Sequence, residues 1–132
     1  MTTGVDIVGT LLREDPDLVA IVPIGRIKAG ALPDDVPLPA LLVRCVSSVE
    51  RQVLKRGTTT RTADRISVTV RAASYRDQRA VMKLVKQCCA GRTGTVAGEP
   101  AVSILTAGTG PDARGPGNSF EQTQDFRVSY DA

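Results

Sequence analysis

Hydrophobic residues recur at helical spacing in two segments of the chain. The first apolar stripe comprises Val5, Val8, Leu11 and Leu12. Thr3 precedes it as a candidate N-cap, and Asp6 stands three residues later, in the position of a capping box. Because Asp15-Pro16 interrupts the pattern, the helix ends or restarts there, and 17–22 predicts one further helical turn.

The second stripe lies between a candidate N-cap at Ser74 and a C-terminal stop at Gly91. Its apolar face comprises Ala80, Val81, Leu84, Val85 and Cys88. Its opposite face carries the positive charges of Arg76, Arg79, Lys83 and Lys86. This spacing predicts an amphipathic helix that packs on a core and presents a basic side to solvent.

Alternation of apolar and polar residues, which is typical of half-buried strands, is clearest over 65–72 and recurs over 120–130. The apolar, β-branched stretch 40–49 predicts another strand, continuing to Leu54, and the polar stretch 55–62 predicts a hairpin tip. Shorter candidate strands lie at Arg26–Lys28, at Val96 and over 102–106.

These elements predict an α+β domain: a mainly antiparallel sheet with two helices packed on it, as in an α/β sandwich. A length of 132 residues fits a single domain spanning 1–132. Hydrophobic residues make up 42% of the chain but aromatic residues only 3%, so the core must be aliphatic.

The composition offers little for catalysis. Histidine is absent, which removes the commonest general base and a common metal ligand. Cys45, Cys88 and Cys89 lack the spacing of a zinc site or a disulfide framework, and they suit a reduced cytosolic setting. These observations together predict a non-enzyme without cofactor or metal. The sequence shows no signal peptide and no apolar run near the roughly 18 residues that span a bilayer, so we expect a soluble protein without a membrane partner.

Positive charge concentrates in the predicted central hairpin. Six basic residues lie between positions 44 and 65, opposed only by Glu50 and Asp64. They are Arg44, Arg51, Lys55, Arg56, Arg61 and Arg65. Two interpretations remain open: a solvated hairpin face, or a basic arm that contacts an acidic neighbour or a phosphate backbone. No aromatic residues are interleaved, so contact with nucleic acid would be non-specific and salt-sensitive.

The segment 108–117 is rich in glycine and proline and lies between two predicted strands. A phosphate-binding loop follows a strand and precedes a helix, so this segment is better explained as a mobile loop or a long hairpin tip. Its candidate interface residues are Gly108, Gly110, Arg114, Gly115 and Gly117.

The order of motifs resembles the tail terminator, or tail completion, proteins of long-tailed bacteriophages and related tail-like particles. The resemblance covers nearly the whole chain. It is carried by the N-terminal helix, Asp15–Val22, Gly25-Arg26-Ile27, the Pro-rich connector ending in Pro37–Leu41, the polar hairpin, and the strand ending in Ala72–Tyr75 before the second helix and final strands.

This resemblance implies an α/β sandwich whose subunits form a six-membered ring. The ring caps the head-proximal end of the tail tube, stops tube polymerisation and presents a surface to head-completion or connector proteins, while DNA passes through it. The resemblance thus implies a homo-oligomer in the neck of a virion, assembled in the host cytoplasm, with the tail tube protein as partner.

Two alternatives accompany this hypothesis. The chain could be another neck component, such as a head-closure or connector protein. A different class is a small cytosolic ligand-binding domain or enzyme, for which Arg26, Asp34 and Tyr75 are the polar residues to consider. That class requires a pocket in which polar groups converge.

Overall fold

Three helices pack against a seven-stranded sheet in the computed structural model, which describes residues 3–51, 54, 57 and 60–132. The helices are α1 (Gly4–Glu14), α2 (Pro16–Val19) and α3 (Tyr75–Cys89). The strands are β1 (Ile27–Ala29), β2 (Ala40–Arg51), β3 (Arg61–Ala72), β4 (Thr93–Val96), β5 (Glu99–Thr109), β6 (Ala113–Arg114) and β7 (Phe120–Asp131).

The strand order in the sheet is β1-β2-β3-β7-β5-β4, and β6 pairs with β7 beyond the end of the β5 pairing. Only the short β1 runs parallel to its neighbour, while the other described pairs are antiparallel. The sheet is therefore mixed but mainly antiparallel, in agreement with the predicted α+β class. The three-residue 3₁₀ turn Ile24–Arg26 occupies the start of the first short strand that the sequence predicts.

The capping residues that the sequence predicts are in place. The Asp6 carboxylate accepts hydrogen bonds from the Thr3 backbone N–H at 2.9 Å and from its hydroxyl at 3.1 Å. The Ser74 hydroxyl accepts from the backbone N–H of Asp77 at 3.1 Å. These contacts satisfy backbone donors that a helix leaves unpaired at its N-terminus, and they fix where α1 and α3 begin.

The core between helices and sheet is mainly aliphatic, with Phe126 and Tyr130 as aromatic members, but the buried face of α3 differs from the predicted one. Ala80 is exposed, whereas Gln78 is fully buried. The Gln78 side-chain amide donates to Asp112 Oδ1 at 2.9 Å and to Gln122 Oε1 at 3.4 Å. Gln78 is therefore buried through polar contacts with the β5–β7 region, which hydrophobic spacing does not reveal.

The region around Val96 forms a tight hairpin where the sequence predicts only short strand segments. β4 and β5 are joined by Ala97 and Gly98, whose φ angles are 51° and 80°. Two successive residues with positive φ are typical of the turns that join antiparallel strands with native twist. After this turn β5 is eleven residues long and extends into the Gly-rich segment.

Asp64 joins α1 to the sheet. This buried carboxylate on β3 accepts from the Gly4 backbone N–H at 3.1 Å, from the Tyr130 hydroxyl at 2.8 Å and from the Ser48 hydroxyl. A Cβ added at Gly4 would lie 2.7 Å from Asp64 Oδ2, so glycine permits the close approach of helix and carboxylate. Burial and the hydrogen bond to Asp64 raise the pKa of Tyr130 to about 12.

Candidate functional site

The outer face of the sheet, which points away from the helices, carries the arginines of the predicted basic hairpin that the structure describes. Side chains alternate along β3, so that Ile66 and Val68 enter the core and Arg65 faces outward. By register, Arg61 and Arg65 lie opposite Asp131 and Arg127 on β7. Arg44 and Arg51 of the cluster lie on β2. Its remaining members, Lys55 and Arg56, lie outside the described residues.

Arg61 and Arg65 are engaged within the subunit. Arg61 lies 3.3 Å from Asp131 and donates to the backbone carbonyl of Ala101 at 2.6 Å. Arg65 lies 2.8 Å from Asp125 and donates to the carbonyl of Ala107 at 2.9 Å. These contacts connect β3 to β7 and β5. The charged groups of Arg61 and Arg65 are therefore engaged in contacts within the sheet.

Arg44 and Arg51 are exposed and differ from the previous pair. Arg44 makes only a long hydrogen bond, 3.4 Å, to the Ser67 hydroxyl. Within residues 3–51, 54, 57 and 60–132, neither arginine has a carboxylate within ion-pair distance. These two side chains are therefore the described members of the cluster that retain an uncompensated charge.

Arg127 belongs to the same face, although the sequence does not group it with the hairpin. In the sheet it lies opposite Arg65 on one side and Leu105 on the other. It is exposed, and no ion pair is formed with it by the part of the chain that the structure describes. Only the register of three strands brings Arg127 to the cluster, and no local sequence signal reports that register.

Apolar side chains interrupt the charges of this face. Val49 is 65% exposed and Leu105 is 57% exposed. With Ala63, Arg65 and Arg127 they line a shallow groove of about 450 Å³. Arginine beside exposed aliphatic residues is a composition found at protein interfaces.

The Gly-rich segment is a structured connection between β5 and β7. The Gly110 N–H donates to the Thr123 carbonyl at 2.8 Å, and β6 pairs with the start of β7. Arg114 lies over the Phe120 ring at 4.1 Å and donates to the carbonyl of Asn118 at 2.9 Å. Of the two predicted forms, the segment adopts that of a hairpin tip folded back on the sheet.

Its glycines meet different requirements. Gly108 and Gly117 have φ angles of 117° and 63°, in the region that glycine adopts without strain. Gly115 has an ordinary φ, but a Cβ there would lie 1.9 Å from Glu121 Oε1. A larger residue at Gly115 would therefore require the Glu121 and Ser119 side chains to move.

Two of the predicted regions meet in the structure. Arg44, Gly110 and Ala113 line a common groove of about 360 Å³ on the outer face. Arg65 reaches the start of the Gly-rich segment through the Ala107 carbonyl. Arg61, by contrast, contacts Ala101 and Asp131 and pairs with Arg51 in register near the hairpin tip, so the predicted cluster divides into two parts.

A second basic surface lies along α3. Arg79, Lys83 and Lys86 border a groove of about 670 Å³ between α3 and the β5–β7 connection, which we call the α3 groove. Tyr75 and Asp112 lie in its wall. Of the three residues considered for a pocket, only Tyr75 lines this groove; Arg26 instead donates to the Leu38 carbonyl at 3.3 Å, and Asp34 is exposed.

The cysteines are suited to packing. Cys88 and Cys89 are buried, and the Cys88 thiol donates to the Leu11 carbonyl at 3.3 Å. A hydrogen bond between the Cys89 and Cys88 side chains and burial both raise the pKa of Cys89, which disfavours its thiolate. Among the described residues, no cluster of three or more His, Cys, Asp or Glu could hold a metal ion, and no helix combines the length and apolarity needed to cross a bilayer.

Both the sequence and the fold are similar to those of known proteins. Residues 8–131 match the family model described as tail completion protein gp17. The fold is similar to that of a solved chain from the virion of a native gene transfer agent particle, with a TM-score of 0.67 and 16% sequence identity over 95% of this chain and 92% of that chain. No curated protein matches the sequence.

Proposed function

The chain belongs to the family of tail completion protein gp17, and from this membership we propose that it is a tail terminator. In this role six copies form a ring on the head-proximal end of the tail tube, stop tube polymerisation and join the tail to head-completion or connector proteins. The observation that carries the proposal is the family match over residues 8–131. The similar fold in a gene transfer agent virion supports the same class of assembly.

The surface is consistent with a protein that acts by assembly. The outer face combines exposed aliphatic residues such as Val49 and Leu105 with the uncompensated Arg44 and Arg51. The α3 groove and the two outer-face grooves are open to solvent. In the proposed ring, Arg44 and Arg51, together with Lys55 and Arg56, are candidates for contact with partner proteins or passing DNA.

Imaging of particles tests the proposal. A phage or tail-like particle that lacks this chain is expected to produce tails that fail to join heads and tubes whose length is no longer controlled. Complementation with the chain should restore length and place a ring at the head-proximal end. Tails of normal length joined to heads in the absence of the chain would refute a terminator role, and density at the portal side instead would favour a head-closure or connector component.

A further inference from the structure

One side of α3 carries a stripe of cations that form no ion pair with the described residues, although Arg79 lies over the Tyr75 ring at 5.9 Å. Arg79, Lys83 and Lys86 are spaced by four and three residues, which aligns them on one flank of the helix. In the part of the chain that the structure describes, no carboxylate lies within ion-pair distance of any of the three. This differs from Arg61 and Arg65 on the outer face, whose charges are compensated by β7.

The one carboxylate in the wall of the α3 groove is held away from these cations. Asp112 accepts hydrogen bonds from the Tyr75 hydroxyl at 3.0 Å and from the Gln78 amide at 2.9 Å. The rim of the groove therefore keeps a net positive charge, while Ala80 and Met82 add apolar surface to its lining. Such a groove suits an occupant that is acidic and also presents an aliphatic side chain.

The chain carries a surface of that composition, which we call the acidic corner: Glu14, Asp17, Ile21 and Ile24. Residues 14–25 contain three carboxylates and no Lys or Arg. Asp15 accepts from the backbone N–H of Asp17 and caps α2, whereas Glu14 and Asp17 are exposed. Ile21 and Ile24 are 45% and 53% exposed, so the same segment also offers aliphatic surface.

The acidic corner and the α3 groove are separate surfaces beside α3. The corner follows α1, which packs against α3 where the Cys88 thiol donates to the Leu11 carbonyl, and Glu14 borders a groove at the C-terminal end of α3 together with Gln87 and Arg92. The α3 groove is bounded by Thr109 and Gln122 of the β5–β7 region. The two surfaces share no lining residue, so they can contact two different neighbours.

Two complementary surfaces that do not overlap on a subunit can produce head-to-tail contacts, which close into a ring when the rotation permits. We infer that the α3 groove of one copy binds the acidic corner of the next copy. In this contact Lys83 and Lys86 approach Glu14 and Asp17, and the exposed isoleucines cover the apolar part of the groove. The inference rests on the proposed ring function and identifies the lateral contact of that ring.

Reciprocal charge reversal tests the contact. One variant carries Lys83→Glu and Lys86→Glu, and another carries Glu14→Lys and Asp17→Lys. Because like charges would then face each other, each variant alone should be retained on purified tails about tenfold less than the wild-type chain, or weaker. An equimolar mixture should recover retention. When the two variants alternate around an even-numbered ring, each acidic groove meets a basic corner and each basic groove meets an acidic corner.

Arg76→Glu is the matched control, because Arg76 is exposed on the same helix but does not line the groove. This variant should be retained like the wild-type chain. Circular dichroism and urea unfolding of every variant will show whether a loss of retention arises from misfolding.

The outcomes separate the inference from the proposed function. Wild-type retention with unaffected charge-reversal variants would overturn the lateral contact and leave the terminator role intact. Failure of the wild-type chain to join any tail would instead count against the proposed function. If the Lys83 and Lys86 variant loses salt-dependent binding to duplex DNA and the mixture does not recover retention, the groove binds phosphate and the inference is wrong.

Discussion

Asp64 and Tyr130 illustrate at the residue scale how a polar contact can organise an aliphatic core. Asp64 is 3% exposed and receives donors from α1, β2 and β7. A buried carboxylate is costly unless its oxygens are hydrogen-bonded, so these donors stabilise one another's positions. In the sequence, Asp64 counts against the positive charge of the hairpin arginines. In the structure its side chain faces the helical layer, so the outer face is more basic than the count of charged residues implies.

Replacing Tyr130 by phenylalanine should lower the free energy of unfolding by about 1.5–3 kcal/mol, the range for hydrogen bonds to charged groups. Urea unfolding at neutral pH measures this loss. Tyr75→Phe is the matched control: its hydroxyl donates to Asp112 at the surface, so its loss should cost about 0.5 kcal/mol or less. Equal losses in the two variants would contradict a special role for the buried hydroxyl.

The contact between Tyr130 and Asp64 also makes the stability of the fold depend on pH. The folded state favours the neutral phenol of Tyr130, because its pKa is raised from 10.0 to about 12. This contribution to stability is fully present below pH 10 and is lost as the pH rises toward 12. Tyr130→Phe should remove that component of the alkaline decline, whereas Tyr75→Phe should retain it.

At the scale of the element, the hairpin arginines form two functional classes despite their common charge. Arg61 and Arg65 bind carboxylates and carbonyls of neighbouring strands. Arg44 and Arg51 have no carboxylate partner among the residues that the structure describes. Substitutions within this hairpin should therefore separate effects on stability from effects on assembly.

The double variant Arg44→Gln and Arg51→Gln should change the free energy of unfolding by no more than about 0.5 kcal/mol and weaken assembly or DNA passage. The matched variant Arg61→Gln and Arg65→Gln should lose about 1 kcal/mol, because exposed ion pairs each contribute 0–1 kcal/mol. Urea unfolding and infectivity assays measure the two effects. Unchanged assembly, DNA passage and infectivity in the Arg44 and Arg51 variant would establish a solvated face.

The elements that sequence predicts well depend on local chemistry. The caps at Thr3 and Ser74 require only residues three positions apart, and the alternation along β3 and β7 requires only a period of two. By contrast, Gln78 is buried because Asp112 and Gln122 meet it from 34 and 44 residues away. Arg127 joins the outer face through strand register, which local periodicity does not specify.

At the scale of the whole molecule, a modest net charge of +3 conceals separated surfaces of opposite sign. The α3 groove and the outer face are basic, whereas residues 14–25 carry three carboxylates and no Lys or Arg. In the proposed ring, each subunit would need lateral contacts with its own copies and axial contacts with other proteins. We assign the groove and the corner to the lateral contacts, which leaves the hairpin as the candidate for the axial ones.

Thiol labelling tests whether assembly covers the hairpin. Cys45 lies in β2 and is exposed, whereas Cys88 and Cys89 are 2% and 0% exposed, so only Cys45 of the free folded chain should react quickly with a small thiol reagent. Partial burial and the nearby Asp64 raise the pKa of Cys45, so its reaction rate should keep rising with pH above the normal thiol range. In denaturant all three thiols should react, and Cys45→Ser identifies the fast one. By register Cys45 lies opposite Ile66 and shares the helix-side face of the sheet with it. If the axial contact covers this side of the hairpin, labelling of Cys45 should slow when the chain is bound to tails joined to heads. An unchanged rate would show that this side of the hairpin remains in solvent.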